Sequence, residues 1–357
     1  MSGPSAGELA ERTLQLCRIP SPIGSEQALA DFVERWARAL RPALEVIRVG
    51  HSIALGDFSD TRPRVTLLGH LDTVPPHPSD GAARIEGERI HGRGSSDMKG
   101  GLATMMALAE TLPRDGPLGV GYVFYEREEG PYTESGLGPL LARVDALRRT
   151  KLAIALEPTD NVLQVGAMGS IHATVRFTGK SAHSARPWQG ENAIHKAGAF
   201  LSELQALPRR EVRFAGFPFY EVMSITQAQG GRARNIIPDG FQLNLNYRFA
   251  PGKSLEDAQE DVRARVAGRA EVEFIDLAPS GRVCADNPLF QKLLQVSGAA
   301  AQSKQAWTDV GRLSQEGIDA VNFGPGESAQ AHQAGESAPV AALAVGYRAL
   351  YRFLTAA

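Results

Sequence analysis

His70 and Asp72 stand two residues apart where the apolar run Leu67-Leu68-Gly69 ends, so in extended backbone both side chains leave the same face. Taken alone, the pair is equally a polar strand end with a hydrogen-bonded histidine. Asp97 lies in the glycine-flanked stretch His91-Gly92-Arg93-Gly94-Ser95-Ser96-Asp97-Met98-Lys99-Gly100-Gly101. A phosphate loop is excluded there, because aspartate occupies the last glycine of a dinucleotide fingerprint and no Gly-Lys-Ser/Thr ending follows. Asp97 could bind a cation or cap the helix that follows it. Glu126, Glu128 and Glu129 follow the run Val120 to Phe124; Glu157 follows Leu152 to Leu156 and precedes Pro158; His332 comes after the loop Phe323-Gly324-Pro325-Gly326. A charged turn would account for the glutamate pair, but poorly for Glu157. Two imidazoles and several carboxylates without a thiolate suit hard or borderline cations, such as a pair of zinc ions, or cobalt or manganese in their place. Two such cations need a shared anionic bridge. They would supply a doubly held hydroxide as nucleophile, which leaves one carboxylate to serve as base.

These residues need strands to position them. Periodicity predicts a helix from Ala6 to Arg18, stopped by Ile19-Pro20-Ser21-Pro22, and a second from Ser25 to Leu40. Buried strands at Val65 to Leu68, Val120 to Tyr125 and Leu152 to Leu156 alternate with helical stretches Gly101 to Leu112 and Gly136 to Arg148. That is an α/β pattern, and the candidate carboxylates fall at strand ends, where ligands gather in open sheets. After Gly166 the texture changes to alternating strands at 171–178, 221–229, 241–249 and 270–277, with helices at 192–207 and 255–267. The order β-α-β-β-α-β describes a ferredoxin-like α+β domain at 169–280, inserted into a discontinuous mixed-sheet α/β domain at 1–168 and 281–357. Hinges are expected near residues 167–170 and 278–282.

Composition narrows the partners. The 357 residues suit about two domains, and 38 basic against 40 acidic side chains leave a formal charge of −2. No basic stripe suggests nucleic acid, and no apolar run approaches the roughly 18 residues of a membrane span. Met-Ser-Gly-Pro-Ser-Ala-Gly-Glu does not read as a secretory signal, so a cytoplasmic location is expected. Cys17 and Cys284 are too few for a disulfide framework or a thiolate metal site.

With these residues assembled, the sequence resembles the di-zinc deacylase and exopeptidase family that includes acetylornithine deacetylase, aminoacylase and carboxypeptidase-like enzymes. The similarity runs from the first helices to the last. It is greatest to the family's succinyl-diaminopimelate desuccinylase branch of high-GC bacteria, through His-Ser-Ala-Arg-Pro-Trp at 183–188, Asn-Ala-Ile-His-Lys at 192–196, Asn-Ile-Ile-Pro-Asp at 235–239, Tyr-Arg-Phe-Ala-Pro at 247–251 and Trp-Thr-Asp-Val at 307–310. The resemblance implies that His70 and Glu157 hold one divalent ion, Glu129 and His332 the other, and Asp97 bridges them. The ions would be zinc, with cobalt as a substitute. Asp72 would orient His70. Glu128 would be the general base, with Glu126 as the alternative. The inserted domain would form a homodimer, His183 would reach a partner subunit's site to stabilise an oxyanion, and Arg248 and Asn235 would bind the substrate's α-carboxylate. Ser170, Thr308 and Gly326 would line the substrate pocket.

Two departures bear on the acyl group. Better-known desuccinylases carry arginine just ahead of the Gly-Ser that opens the insert, whereas this chain reads Gly166-Ala167-Met168-Gly169-Ser170. Arg186 could substitute for it. Glu327 stands where an amide or aspartate is frequent. The implied activity is removal of the succinyl group from N-succinyl-L,L-diaminopimelate, with an N-acetyl amino acid deacylase or a dipeptidase as the alternative. A metal-free binding homologue is disfavoured by the complete ligand set. A serine hydrolase is discarded, because neither Ser181 nor Ser184 beside His183 lies in a Gly-x-Ser-x-Gly elbow.

Overall fold

The computed structural model describes residues 3–356, which divide into two compact units. The first runs to Gly166 and includes Arg282–Lys304 and the chain from Arg312; the second is Ala167–Gly281 with Gln305–Gly311. The short segment Gln305–Gly311 thus departs from the expected boundary. It is held to the second unit by the Met168 amide donating to the Ala306 carbonyl at 3.1 Å and the Trp307 indole donating to the Pro279 carbonyl at 3.0 Å.

The first unit is built on an eight-stranded mixed sheet in the order Glu45–Val49, Ser52–Gly56, Gly119–Tyr125, Arg64–His70, Thr150–Ala155, Ala320–Asn322, Leu163–Val165, Ala301–Ser303. Four central strands, from Gly119–Tyr125 to Ala320–Asn322, are parallel neighbours. All seven residues of Arg64–His70 are buried, which is why the sequence there reads as a nearly continuous apolar run. The hairpin Glu45–Val49 with Ser52–Gly56, and a separate three-stranded sheet of Ser337–Pro339, Arg89–His91 and Arg84–Glu86, were not legible in the sequence. Three-residue strands are too short to show a period.

Helices form where expected, with corrected ends. The first covers Ala6–Cys17 and starts from a capping box in which Ser5 and Glu8 bond one another's backbone amides. The second is Gln27–Ala39, without a side-chain cap; the Ser25 amide instead donates to the Pro22 carbonyl. The expected helix Gly136 to Arg148 stops at Arg143, because Val144 leaves helical geometry and a 3₁₀ turn follows.

The second unit carries a five-stranded antiparallel sheet in the order Arg210–Phe214, Phe217–Gly230, Gly240–Phe249, Gly169–Thr178, Glu271–Ala278. Its apolar face, with Ile171, Ala173, Val175 and Phe177, packs on Phe200 and Leu204 of one helix and Ala258, Val262 and Val266 of the other. The edge strand Arg210–Phe214 adds to the expected four; largely polar and exposed, it has the character of a protected sheet edge. The expected helix 192–207 is split into Ala193–Lys196 and Gly198–Gln205, with Asn192 capping the first.

Two helical glycines separate packing from propensity. A Cβ on Gly101 would collide with the Leu156 carbonyl oxygen, whereas one on Gly198 would meet nothing within 4 Å. Gly101→Ala is expected to destabilise the protein by about 1–3 kcal/mol. Gly198→Ala should leave stability unchanged or raise it by up to about 1 kcal/mol. Urea unfolding of the two variants measures both, and equal effects would contradict this packing.

Candidate metal centre

The parallel strands bring the candidate residues to one edge. His70 ends its strand level with Tyr125 on one neighbour, and Leu68 is level with Ala155 on the other. Two steps beyond Ala155 and Leu68 lie Glu157 and His70, and the residues after Tyr125 are Glu126 to Glu129. Gly69 is required directly behind His70, since a Cβ there would lie 2.6 Å from the Met98 methyl and 2.7 Å from Leu102.

Asp97 does not cap the following helix. Lys99 occupies the cap position of Gly100–Thr111 without a side-chain bond, and Asp97 sits in non-helical backbone with its carboxylate directed at two imidazoles. Asp97 Oδ1 lies 3.2 Å from His70 Nε2, and Oδ2 lies 3.6 Å from His332 Nε2. His332 Nε2 is also 3.0 Å from Glu129 Oε1. Three sets of ligand atoms each fall within 4.8 Å of one another: His70, Asp97 and Glu157; Asp97, Glu129 and His332; and His70, Glu128 and Glu129. Asp97 belongs to the first two sets.

The tautomer of His70 follows from its other nitrogen. Nδ1 is 2.9 Å from the Asp72 carbonyl oxygen, which can only accept, so Nδ1 carries the proton and Nε2 faces Asp97. The expected partner, the Asp72 carboxylate, is 3.7 Å from Nδ1 and has another task. Its two oxygens accept the amides of Glu128, at 3.1 Å, and Glu129, at 2.9 Å. Asp72 therefore holds His70 through its backbone and the glutamate pair through its side chain. Glu126 turns away: its Oε1 accepts the His51 amide of the hairpin at 2.7 Å.

Glu336, absent from the sequence reading, organises the Asp97 turn. It is buried; Oε1 accepts the amides of Ser96 at 2.8 Å and Asp97 at 2.9 Å, and Oε2 accepts the Gly94 amide at 2.9 Å and faces Arg93 at 3.2 Å. Its only sequence signal is an acidic residue four places after a candidate ligand. The glycines of 324–326 also serve packing. A Cβ on Gly324 would strike the carbonyls of Leu156 and Glu157, and one on Gly326 would strike the Ser96 carbonyl. Glu327 is paired with Arg89.

The electrostatics suit a cation. Burial, with Asp97 beside it, pushes Glu157 up to about 7, and its buried Oε1 has no hydrogen-bond partner. Burial pulls His70 toward neutrality, but the hydrogen bond to Asp97 and the charges of Asp72, Glu157 and Glu128 hold it well above the usual value. Donation from His332 to the Glu129 carboxylate likewise raises His332. An orphaned buried carboxylate oxygen beside nitrogen and oxygen donors fits divalent ions.

The remaining expected residues lie in the second unit. Arg248 is register partner of Ser170, and its Nε donates to Asn246 Oδ1 at 3.1 Å, while Asn246 Nδ2 reaches Ser170 Oγ at 3.3 Å. Thr308 is buried with Oγ1 unpartnered. His183, Arg186 and Asn235 are exposed; His183 Nδ1 accepts the Ala185 amide, and His183 belongs to none of the three ligand sets.

This fold and this cluster define a metal-dependent hydrolase. The chain belongs to peptidase family M20/M25/M40, whose model matches residues 66–356. It is 34% identical to the succinyl-diaminopimelate desuccinylase of Corynebacterium glutamicum, covering 92% of this chain and 91% of the relative. It is 36% identical, over 98% of each chain, to a Mycobacterium tuberculosis protein that carries the same desuccinylase name provisionally. It shares the fold of a Staphylococcus aureus tripeptidase at a TM-score of 0.79 and 20% identity, over 99% of both chains. No helix is long and apolar enough to cross a membrane among the described residues.

Two outcomes follow. The unfolded chain gives up the Glu157 proton near 4.5, whereas the folded, metal-free chain keeps it until about 7, so stability falls as pH rises through that window. The raised values of His70 and Glu336 act in the same direction. Unfolding in chelator should show a loss on the order of 1–3 kcal/mol between pH 5 and pH 8, flattened by Glu157→Gln. Glu336→Gln, which turns an amide donor toward donors, should weaken zinc binding by about 10–100-fold in calorimetry; unchanged affinity would contradict the positioning role.

Proposed function

We propose that this enzyme removes the succinyl group from N-succinyl-L,L-diaminopimelate. The observation that supports the metal assignment is that Asp97 belongs to two of the three ligand sets, one with His70 and Glu157 and one with Glu129 and His332. His70 and Glu157 would hold one divalent ion and Glu129 and His332 the other, with Asp97 between them; zinc is the metal proposed, with cobalt able to replace it. When bound, such ions supply a water that loses its proton near neutral pH. Glu128, beside His70 and Glu129, takes that proton and returns it to the departing amine nitrogen. The bond that Glu126 accepts from the His51 amide, away from the ligand cluster, favours Glu128 as the base. Asp72 fixes Glu128 through its backbone amide.

Recognition is assigned by the family resemblance. Arg248 and Asn235 take the α-carboxylate, Ser170, Thr308 and Gly326 line the pocket, and His183 of a partner subunit steadies the oxyanion in a homodimer formed by the second unit. Arg186 remains the candidate for an anionic acyl group on that unit. The domain boundaries near 168 and 281 would serve as hinges, and the enzyme would work in the cytoplasm. The desuccinylase relatives support the succinyl substrate. A second reading, deacetylation of an N-acetyl amino acid or dipeptide cleavage, is motivated by Ala167 and Met168 where better-known desuccinylases carry arginine.

Acid release from N-succinyl-L,L-diaminopimelate and N-acetylornithine by the zinc-loaded enzyme tests the assignment. A clear preference for the acetyl compound would end the desuccinylase reading. Glu128→Ala should lower kcat by about 10²–10⁴-fold while zinc content is unchanged; intact turnover would remove Glu128 as the base.

A further inference from the structure

The linker between the first two helices, Ile19-Pro20-Ser21-Pro22-Ile23-Gly24-Ser25-Glu26, supplies no candidate ligand, yet it touches three of the segments that do. On the His70 segment, the Ser21 hydroxyl donates to the Leu71 carbonyl at 2.7 Å, the Thr73 amide to the Ser21 carbonyl at 2.9 Å and the Ile23 amide to the Thr73 carbonyl at 3.0 Å. On the Asp97 segment, the buried ammonium of Lys99 donates to the Ile19 carbonyl at 2.9 Å. On the glutamate segment, Ile23 lies against Gly130, where a Cβ would stand 2.6 Å from Ile23 Cδ1. All of these residues belong to the first unit.

The linker is itself pinned. Ser21 and Glu26 are fully buried, and the Glu26 carboxylate accepts the Gly24 amide at 2.8 Å, which closes the turn. Strand pairing fixes His70 and Tyr125 but not the chain beyond them, so the residues after each strand need other partners for their backbone. Asp72 supplies some to the glutamate pair and Glu336 some to the Asp97 turn. The linker does what neither carboxylate does: one hydrogen-bonded piece of chain meets all three segments. Metal ligands have to be held to within about 0.5 Å of their working positions. A displacement of the linker would therefore be passed to Glu129 through Gly130 and to Asp97 through Lys99.

We propose that the linker 19–26 sets the spacing of the metal centre, with Ile23 and Lys99 as positioning residues: Ile23 fixes Glu129 through Gly130, and Lys99 fixes Asp97 through the Ile19 carbonyl. The inference rests on the two-ion ligand assignment proposed above and deepens it by naming what holds those ligands at their separation. The two contacts differ in reach. Glu129 is grouped with His332 at one proposed ion, whereas Asp97 is grouped with the ligands of both. Disturbing Ile23 therefore affects one ion, and disturbing Lys99 affects two.

Calorimetric titration of the metal-free full chain with zinc tests this independently of turnover, at a temperature where circular dichroism shows every variant folded. Ile23→Ala and Gly130→Ala should each weaken one of the two zinc ions by about tenfold and leave the other within about threefold. The double variant should return to within about threefold of wild type, because the methyl added at 130 takes the space that Ile23 Cδ1 vacates. Lys99→Met should weaken both ions by about tenfold; Lys99→Gln replaces it if it does not fold. Leu350→Ala, a cavity in the buried face of the last helix, should lower stability and leave both zinc affinities within about threefold. Wild-type affinities in Ile23→Ala and Lys99→Met would overturn the proposal. So would a double variant that does not recover, or losses in Leu350→Ala as large as those in the linker variants. A wild type that binds fewer than two zinc ions would instead overturn the ligand assignment, and the positioning role with it.

Discussion

The structure turns on a crowd of acidic groups at the buried end of a parallel sheet. Asp97 lies between two imidazoles, Glu157 has a buried oxygen with no partner, and Glu129 touches His332. Like charges gathered out of water cannot all stay ionised unless positive charge joins them. In the metal-free chain protons meet that need, which is why Glu157 rises and both histidines rise with it. Divalent ions meet it better, since one ion can touch several donors at once.

Much of the surrounding chain exists to hold these groups still. Asp72 and Glu336 are buried carboxylates that do not face the cluster's centre; each gathers backbone amides instead, one fixing the glutamate pair and the other the Asp97 turn. Their charge is spread over N–H dipoles, so they stiffen two loops without competing for the cations. Glycines at 69, 101, 324 and 326 let those loops and the helix Gly100–Thr111 approach closer than any side chain would permit. His332 closes the cluster from a left-handed backbone conformation, with φ of 63°. Such geometry in a non-glycine residue persists where the surrounding fold imposes it.

Legibility in the sequence followed period and length. The buried strands before His70, Glu126 and Glu157 showed themselves as apolar runs, and from them the ligand edge could be placed, because parallel strands end on a common side. The second unit's long alternating strands were legible for the same reason. The three-residue strands around Arg89 and Ser337 were not, since two or three residues carry no period. Glu336 escaped because three of its partners are backbone amides, which nearly every residue possesses; only folding shows that these and the Arg93 guanidinium converge on it.

The measurement that bears most directly on this account is anomalous diffraction from crystals of the zinc-loaded protein, collected on both sides of the zinc edge. The account expects two peaks in each chain, one in contact with His70 and Glu157, the other with Glu129 and His332, and Asp97 touching both. A single peak, or two peaks with Asp97 bound to neither, would contradict it.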